Sequence, residues 1–182
     1  MLDTLAKTRS VTFDAPASAP SMDAVTKLRL PRVALCDVYG GEISSGWMRY
    51  VFDQFEFPYD VVFANDIDNS DLSAKYDVLI LPDGATLSAA VDSTMTFQFR
   101  RQPKPETIPA EWRSHLGTIT VAKSLPRIRS FVENGGTLLA LGDAAEIGYK
   151  LELPVRDAIV GDDGKPLPRA KYYVPGSVLS VA

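Results

Sequence analysis

The chain has 182 residues, of which 46% are apolar and 23% are charged, and its formal net charge is −4 at pH 7. This length suits one globular domain, and the acidic balance argues against a nucleic-acid-binding protein, which usually carries a basic surplus. A single cysteine excludes an intrachain disulfide, and a single histidine cannot supply the imidazoles of a zinc peptidase site. No apolar run reaches the roughly 20 residues of a membrane span. We assign no metal and no cofactor from the sequence.

Residues 1–31 are predicted to be a linker or leader, and residues 32–182 a single α/β domain. The segment DAPASAP (14–20) has the composition of a flexible linker. The first ten residues lack the apolar core of a signal peptide, so we expect no export signal in them. The final predicted strand begins near Ser177 and has no terminator before Ala182. We therefore expect a truncation or a domain boundary at that end.

Four short apolar runs predict the strands of a parallel sheet, at 32–38, 59–64, 77–84 and 137–142. The helix GWMRYVFDQFEF (46–57) follows the first run, and Ser44 or Ser45 is expected to cap it. Its apolar stripe is expected to pack on the core, and comprises Trp47, Tyr50, Val51 and Phe55.

A long, irregular insertion at 85–120 is predicted after the third strand, with one short helix at 109–116. The next helix, SLPRIRSFVENGG (124–136), is expected to have Ser124 as its cap and Gly135 as its terminator. Its predicted buried stripe is Leu125, Ile128, Phe131 and Val132. A last helix is predicted in DAAEIGYKL (143–151).

Strands that alternate with helices indicate a parallel sheet covered on both faces, whose functional crevice lies at the carboxyl ends of the strands. Three segments converge there, CDVYGGE (36–42), LPDGA (81–85) and GDAAE (142–146). The candidate crevice residues in these segments are Asp37, Tyr39, Asp83, Gly84, Gly142, Asp143 and Glu146.

The order of several motifs resembles one family. VLILPDGA and ENGGTLLALGDAAEIG are similar to strand ends of the class I glutamine amidotransferase-like fold. Together with IPAEWRSHLG, LPVRDAIV and KYYVPGSVLSV, they resemble the amidotransferase-like domain that follows the catalytic domain of bacterial zinc carboxypeptidases of the carboxypeptidase A type. The resemblance covers roughly residues 32–182.

This resemblance implies a flavodoxin-like, three-layer α/β sandwich with a mainly parallel sheet. It also implies a metallocarboxypeptidase parent, periplasmic or secreted, whose zinc ligands lie upstream of this chain. The expected partner is that upstream peptidase domain or a second subunit, and neither a nucleic acid nor a membrane span is expected.

The nucleophile of the amidotransferase fold is a cysteine at the turn from strand to helix. Laid on ALGDAA (140–145), that cysteine falls at Gly142, and no histidine follows Gly148. The resemblance therefore implies a domain without its catalytic residues. We expect a non-catalytic accessory or interaction domain.

The carboxylates of the crevice have two interpretations. They could bind a divalent cation or a small molecule. Alternatively, Asp143 caps the helix that starts at Ala144, while Asp37 and Asp83 accept hydrogen bonds from turn amides. A third hypothesis is a hydrolase in which Asp143 acts with His115. Cys36, inside the first strand, is expected to be a buried core residue.

The insertion has the most unusual composition in the chain. Aromatic side chains and arginines are enriched at the centres of protein interfaces. The candidate interface residues are Phe97, Phe99, Arg100, Arg101 and Trp112. We expect them to dock on a peptidase domain or a second subunit, unless the insertion packs on its own sheet.

Overall fold

A computed structural model describes residues 2–14, 17–18, 21, 23, 26, 28–87, 102–155, 160–161, 163, 165, 167–168 and 170–171. Contacts divide the chain into two units, Met1–Leu30 and Pro31–Ala182. In the described part of the first unit, residues Leu2–Arg9 form helix α1. Four predicted interface residues, Phe97, Phe99, Arg100 and Arg101, lie outside the described residues, as does the predicted strand from Ser177.

The second unit is built on a four-stranded parallel sheet. Its strands are β1 (Val33–Cys36), β2 (Asp60–Val62), β3 (Val78–Leu81) and β4 (Thr137–Ala140). Their order is β2-β1-β3-β4, and all three pairings are parallel. The four predicted strands are confirmed, each shorter than its apolar run, because the residues that follow each strand turn away to form the edge of the sheet.

Helices lie against both faces of this sheet. They are α2 (Ile43–Gln54), α3 (Ala64–Asn69), α4 (Leu72–Lys75), α5 (Ser124–Glu133) and α6 (Ile147–Lys150). On one face, Ala34 and Leu81 belong to a core that includes Ile67 of α3 and Phe131 of α5. On the other face, a smaller core around Leu35 contacts α2. The predicted α/β class is confirmed.

The predicted buried face of α2 is wrong. Trp47, Tyr50, Val51 and Phe55 are all exposed, and the helix instead packs Met48 and Phe52 against the sheet. Both faces of the helix carry apolar residues, so periodicity could not choose between them. The buried face includes Ser45, whose small side chain allows close packing and whose hydroxyl donates to the Glu42 carbonyl at 3.1 Å.

The predicted cap of α2 is also wrong. Neither Ser44 nor Ser45 is the N-cap, because the Glu42 side chain holds that position and accepts from the Ser44 amide at 2.6 Å. A carboxylate at this position also interacts favourably with the positive end of the helix dipole.

Helix α5 follows its prediction at three of four stripe positions. Leu125, Ile128 and Phe131 are buried, whereas Val132 is 37% exposed and points away from the core. Ser124 is the first helical residue rather than the cap, and its buried hydroxyl donates to Asp68 at 2.7 Å.

The predicted end of α5 at Gly135 is confirmed in detail. Gly135 has a φ of +90°, a conformation that glycine adopts without steric cost. Its amide bonds the Val132 carbonyl and the Gly136 amide bonds the Phe131 carbonyl, at 3.0 and 2.9 Å. These two bonds form a Schellman motif.

Alanine substitutions in α5 test which of its side chains are buried. Ile128→Ala should lower the free energy of unfolding by about 2–5 kcal/mol, because it removes a fully buried side chain. Val132→Ala on the same helix should change it by less than about 0.5 kcal/mol, as exposed positions do. Urea unfolding of both variants measures the difference, and equal losses would contradict the observed orientation of α5.

Candidate functional site

After the neighbouring strands β1 and β3, the chain turns toward opposite faces of the sheet. Helix α2 follows β1 on one face, and the chain after β3 returns on the other, so the strand order reverses between β1 and β3. A parallel sheet opens a crevice at such a reversal, because the connections diverge there. Asp37 directly follows β1, and Asp83 lies two residues after β3.

Asp37 is a buried carboxylate whose role is to hold the turn after β1. Its Oδ1 accepts from the amides of Val38 and Glu42, at 2.8 and 3.1 Å. Its Oδ2 lies 3.5 Å from the Arg49 guanidinium. The prediction that Asp37 accepts hydrogen bonds from turn amides is confirmed.

Asp83 and Asp143 link the turns after β3 and β4. Asp83 Oδ1 accepts from the Asp143 amide at 2.8 Å, and Asp143 Oδ1 accepts from the Gly84 amide at 2.5 Å. Each carboxylate thus binds the backbone of the other turn, an interaction stronger than one between neutral groups. Asp83 accepts a hydrogen bond from a turn amide, as predicted, but that amide belongs to the neighbouring turn.

The predicted capping role of Asp143 is wrong. The turn after β4 is a 3₁₀ helix, Gly142–Glu146, whose N-cap is Leu141, and Asp143 is its second residue. Helix α6 continues directly from this 3₁₀ helix. The side chain of Asp143 binds Gly84 instead, because the parallel register places the turn after β3 beside it.

Gly142 occupies the position that the resemblance assigns to a nucleophile. Its φ of +58° is the left-handed conformation of a sharp turn from strand to helix. A Cβ at this position would lie 2.1 Å from Asp83 Oδ1 and 2.8 Å from Asp83 Cβ. With Asp83 in place, the turn therefore accepts only glycine, and the Asp83 carboxylate fills the space that a side chain would need.

A cavity of about 560 Å³ opens where the strand order reverses. Its walls include Asp37, Tyr39, Asp83 and Gly84 of the predicted crevice, and its floor includes Cys36. The described lining residues do not include Gly142, Asp143 or Glu146. The structure thus divides the predicted crevice into a cavity at β1 and β3 and a separate turn at β4.

Residues of the insertion form one wall of the cavity, and the sequence did not predict this position for them. Gln102 binds both backbone groups of Gly117, donating to the carbonyl at 2.7 Å and accepting from the amide at 2.6 Å. This pair places Pro103, Thr118 and Ile119 in the lining. No pattern in the sequence could indicate a contact between residues so far apart in an irregular segment.

Cys36 is buried, as predicted. Burial, with the nearby Asp37 and Asp66 carboxylates, raises the pKa of its thiol from 9.0 to about 12. The sulfur is therefore protonated at neutral pH, and a protonated thiol is a poor nucleophile.

His115 lies away from Asp143. Its ring stacks on Phe63 with centroids 3.8 Å apart, and Trp112 meets it edge-on at 5.2 Å. Phe63 directly follows β2, whereas Asp143 follows β4, and three strand spacings of about 4.8 Å separate these edges by roughly 14 Å. The structure does not bring the two residues of the predicted hydrolase site together.

Only one of the five predicted interface residues lies in the described part of the insertion. Trp112 belongs to a 3₁₀ helix, Ala110–His115, where a short helix was predicted. It is 49% exposed and contacts His115. Half of the indole therefore remains accessible.

Comparisons with protein-family models, curated proteins and solved structures returned no match for this chain. Among the described residues, no group of three or more His, Cys, Asp or Glu side chains could hold a metal ion. None of the described helices has the length and apolar character that crossing a bilayer requires.

Substitution of Gly142 tests the close contact with Asp83. Gly142→Ala should destabilise the fold by about 1–2 kcal/mol from its left-handed backbone, with a further 1–3 kcal/mol from overpacking. Gly40→Ala is the matched control, because Gly40 has a φ of +87° but open space around its Cβ position.

Thermal or urea unfolding separates the cost of the left-handed backbone from the cost of overpacking against Asp83. It is measured for both variants and for Gly142→Ala combined with Asp83→Ala. The second substitution should recover part of the loss, a coupling that a double-mutant cycle isolates. Equal destabilisation by Gly142→Ala and Gly40→Ala would contradict the contact.

Proposed function

We propose that this chain is a non-catalytic domain of the class I glutamine amidotransferase-like fold that serves as an accessory and interaction module of a zinc carboxypeptidase. The ordered motifs between residues 32 and 182 support the family. The strand order β2-β1-β3-β4, with helices on both faces, agrees with the first four strands of a flavodoxin-like sheet.

The observation that carries the proposal is that the Asp83 carboxylate fills the space beside Gly142. The φ of Gly142, +58°, is compatible with a sharp turn of the kind that bears a nucleophile in hydrolases, but a Cβ there would lie 2.1 Å from Asp83 Oδ1. A cysteine or serine could not take this position without displacing Asp83. Asp83 and Asp143 are both engaged with backbone amides, in the role of structural acceptors.

The proposed absence of catalysis has a direct test. The purified chain should hydrolyse glutamine, a chromogenic ester and a chromogenic peptide no faster than buffer does. Asp143→Asn should leave those rates at background, and so should Asp163→Asn, an exposed carboxylate in the tail. Hydrolysis that Asp143→Asn abolishes and Asp163→Asn preserves would overturn the proposal.

The proposed parent has a separate test. The DNA upstream of the Met1 codon should encode, in frame, a pattern of zinc ligands and a catalytic glutamate. An in-frame stop codon there, with no peptidase gene beside it, would remove the carboxypeptidase from the proposal and leave the non-catalytic domain untouched.

The cavity favours a second candidate function, the binding of a small organic molecule. Its volume of about 560 Å³ falls in the range of roughly 300–1,000 Å³ that ligand sites have. It also lies at the reversal of strand order, where open α/β sheets bind ligands. Asp37 Oδ1 and Asp83 Oδ1 accept from backbone amides, and no group of three or more His, Cys, Asp or Glu among the described residues could hold a metal ion, so the cavity walls favour an organic ligand over a cation.

A thermal-shift screen of metabolites, with calcium and magnesium as separate arms, tests this second function. A ligand that fills the cavity should raise the melting temperature by several degrees, because it binds the folded state alone. Thr118→Phe, which narrows the cavity, should abolish the shift, whereas the exposed Thr107→Phe should preserve it. A shift that both variants keep would place the ligand elsewhere.

A further inference from the structure

The cavity at the reversal of strand order has walls of one charge sign. Asp37, Glu42 and Asp83 line it, and its described lining contains no Lys, Arg or His. Arg49 lies outside the lining, with its guanidinium 3.5 Å from Asp37, and offsets only that carboxylate. Within the described part of the chain, Glu42 and Asp83 form no ion pair. These two carboxylates therefore give the described walls a net negative charge.

The backbone amides that could bind an anion at this edge are already bound to carboxylates of the chain. Open α/β sheets hold anions at helix N-termini and at the turns after their strands. Here Glu42 accepts from the Ser44 amide in the first turn of α2 at 2.6 Å, and Asp37 accepts from the Glu42 amide at 3.1 Å. On the side of β3, Asp143 accepts from the Gly84 amide at 2.5 Å. An anionic ligand would have to displace a carboxylate to reach these donors.

The same hydrogen bonds leave acceptor oxygens available. Glu42 binds the Ser44 amide through Oε2, and Asp83 binds the Asp143 amide through Oδ1. Their second oxygens, Glu42 Oε1 and Asp83 Oδ2, accept no hydrogen bond from any residue that the structure describes. An ionised carboxylate is an acceptor only. The walls therefore suit a ligand group that donates hydrogen bonds and carries a positive charge.

An ammonium group meets this requirement better than a metal ion does. Calcium and magnesium take on the order of six oxygen ligands, whereas an ammonium group needs only acceptors within reach of its N–H donors. The apolar part of the lining can contact the carbon body of such a ligand, and includes Ile43, Pro82, Leu87 and Ile119. The volume of about 560 Å³ admits a ligand with an aromatic ring or a chain of several carbons.

We propose that the cavity binds an organic amine, with the protonated ammonium group held by the carboxylates of the walls and the carbon body held by the apolar lining. This inference rests on the proposed binding of a small organic molecule in the cavity, and it names the chemical class of that molecule. The carboxylates thus have two roles, because one oxygen positions a turn and the other binds the ligand.

Three probes of similar shape and different charge test the class. At pH 7 phenethylamine is a cation, 2-phenylethanol is neutral and 3-phenylpropionate is an anion. Isothermal titration calorimetry of the whole chain should show the tightest binding for phenethylamine, binding at least about tenfold weaker for 2-phenylethanol, and none for 3-phenylpropionate. Added salt should weaken the binding of phenethylamine alone, because salt screens attraction between charges.

Two substitutions remove charge from the walls and keep the turns. Glu42→Gln and Asp83→Asn each retain an amide oxygen that can accept from the Ser44 or Asp143 amide. The double variant should bind phenethylamine at least about tenfold more weakly and 2-phenylethanol as before, which shows that its cavity is intact. Asp71→Asn is the matched control, because it removes the same charge from the cap of α4, outside the cavity lining. It should leave the binding of both probes unchanged.

Several results would overturn the inference. They are equal affinity for the three probes, amine binding that the double variant keeps in full, and a preference for the anion. An anion preference that Arg100→Ala or Arg101→Ala removes would assign the charge of the cavity to the insertion. Failure of the cavity function itself looks different. In that case no probe binds, or binding survives Thr118→Phe, and the inference is lost with that function.

Discussion

Parallel pairing of β1 with β3 is the contact on which the rest of the domain depends. The two strands lie at the centre of the sheet, and Leu35 and Leu81 within them are completely buried. Arg32 joins their starting points, because both its backbone amide and its guanidinium bind Asp77, at 2.9 and 3.0 Å. The pair is partly exposed and contributes little stability, but it holds the register of the two strands. That register sets which turns meet at the far edge.

The edge at the carboxyl ends follows from this register. It brings the turn after β3 beside the turn after β4, so that Asp83 and Asp143 bind each other's backbone. The same contact leaves no space for a side chain at residue 142. The carboxylate that links the two turns therefore also fills the space that a side chain at residue 142 would need.

The cavity and the exposed apolar residues of α2 arise from the same crossing of the chain. Because α2 leaves β1 toward one face and the chain after β3 leaves toward the other, a space remains between them, which Gln102 and Gly117 help to enclose. Helix α2 has to cover only Leu35, Val33 and Ile80 on its own face. Met48 and Phe52 are sufficient for this, and the larger aromatic residues of the helix are left on the outside. Because the inward face needs few residues, the outward face of α2 keeps its apolar side chains exposed.

The sequence by itself determined the four strands, their parallel class, the end of α5 at Gly135 and the burial of Cys36. These features depend on local patterns, such as continuous apolar runs and the conformational freedom of glycine. Only the tertiary structure decided which face of α2 is buried, that Asp143 binds Gly84 instead of capping a helix, and that His115 packs on Phe63. Each of these joins segments distant in the chain. A local pattern indicates that a side chain is apolar or can accept a hydrogen bond. Which partner that side chain contacts depends on the order and register of the strands.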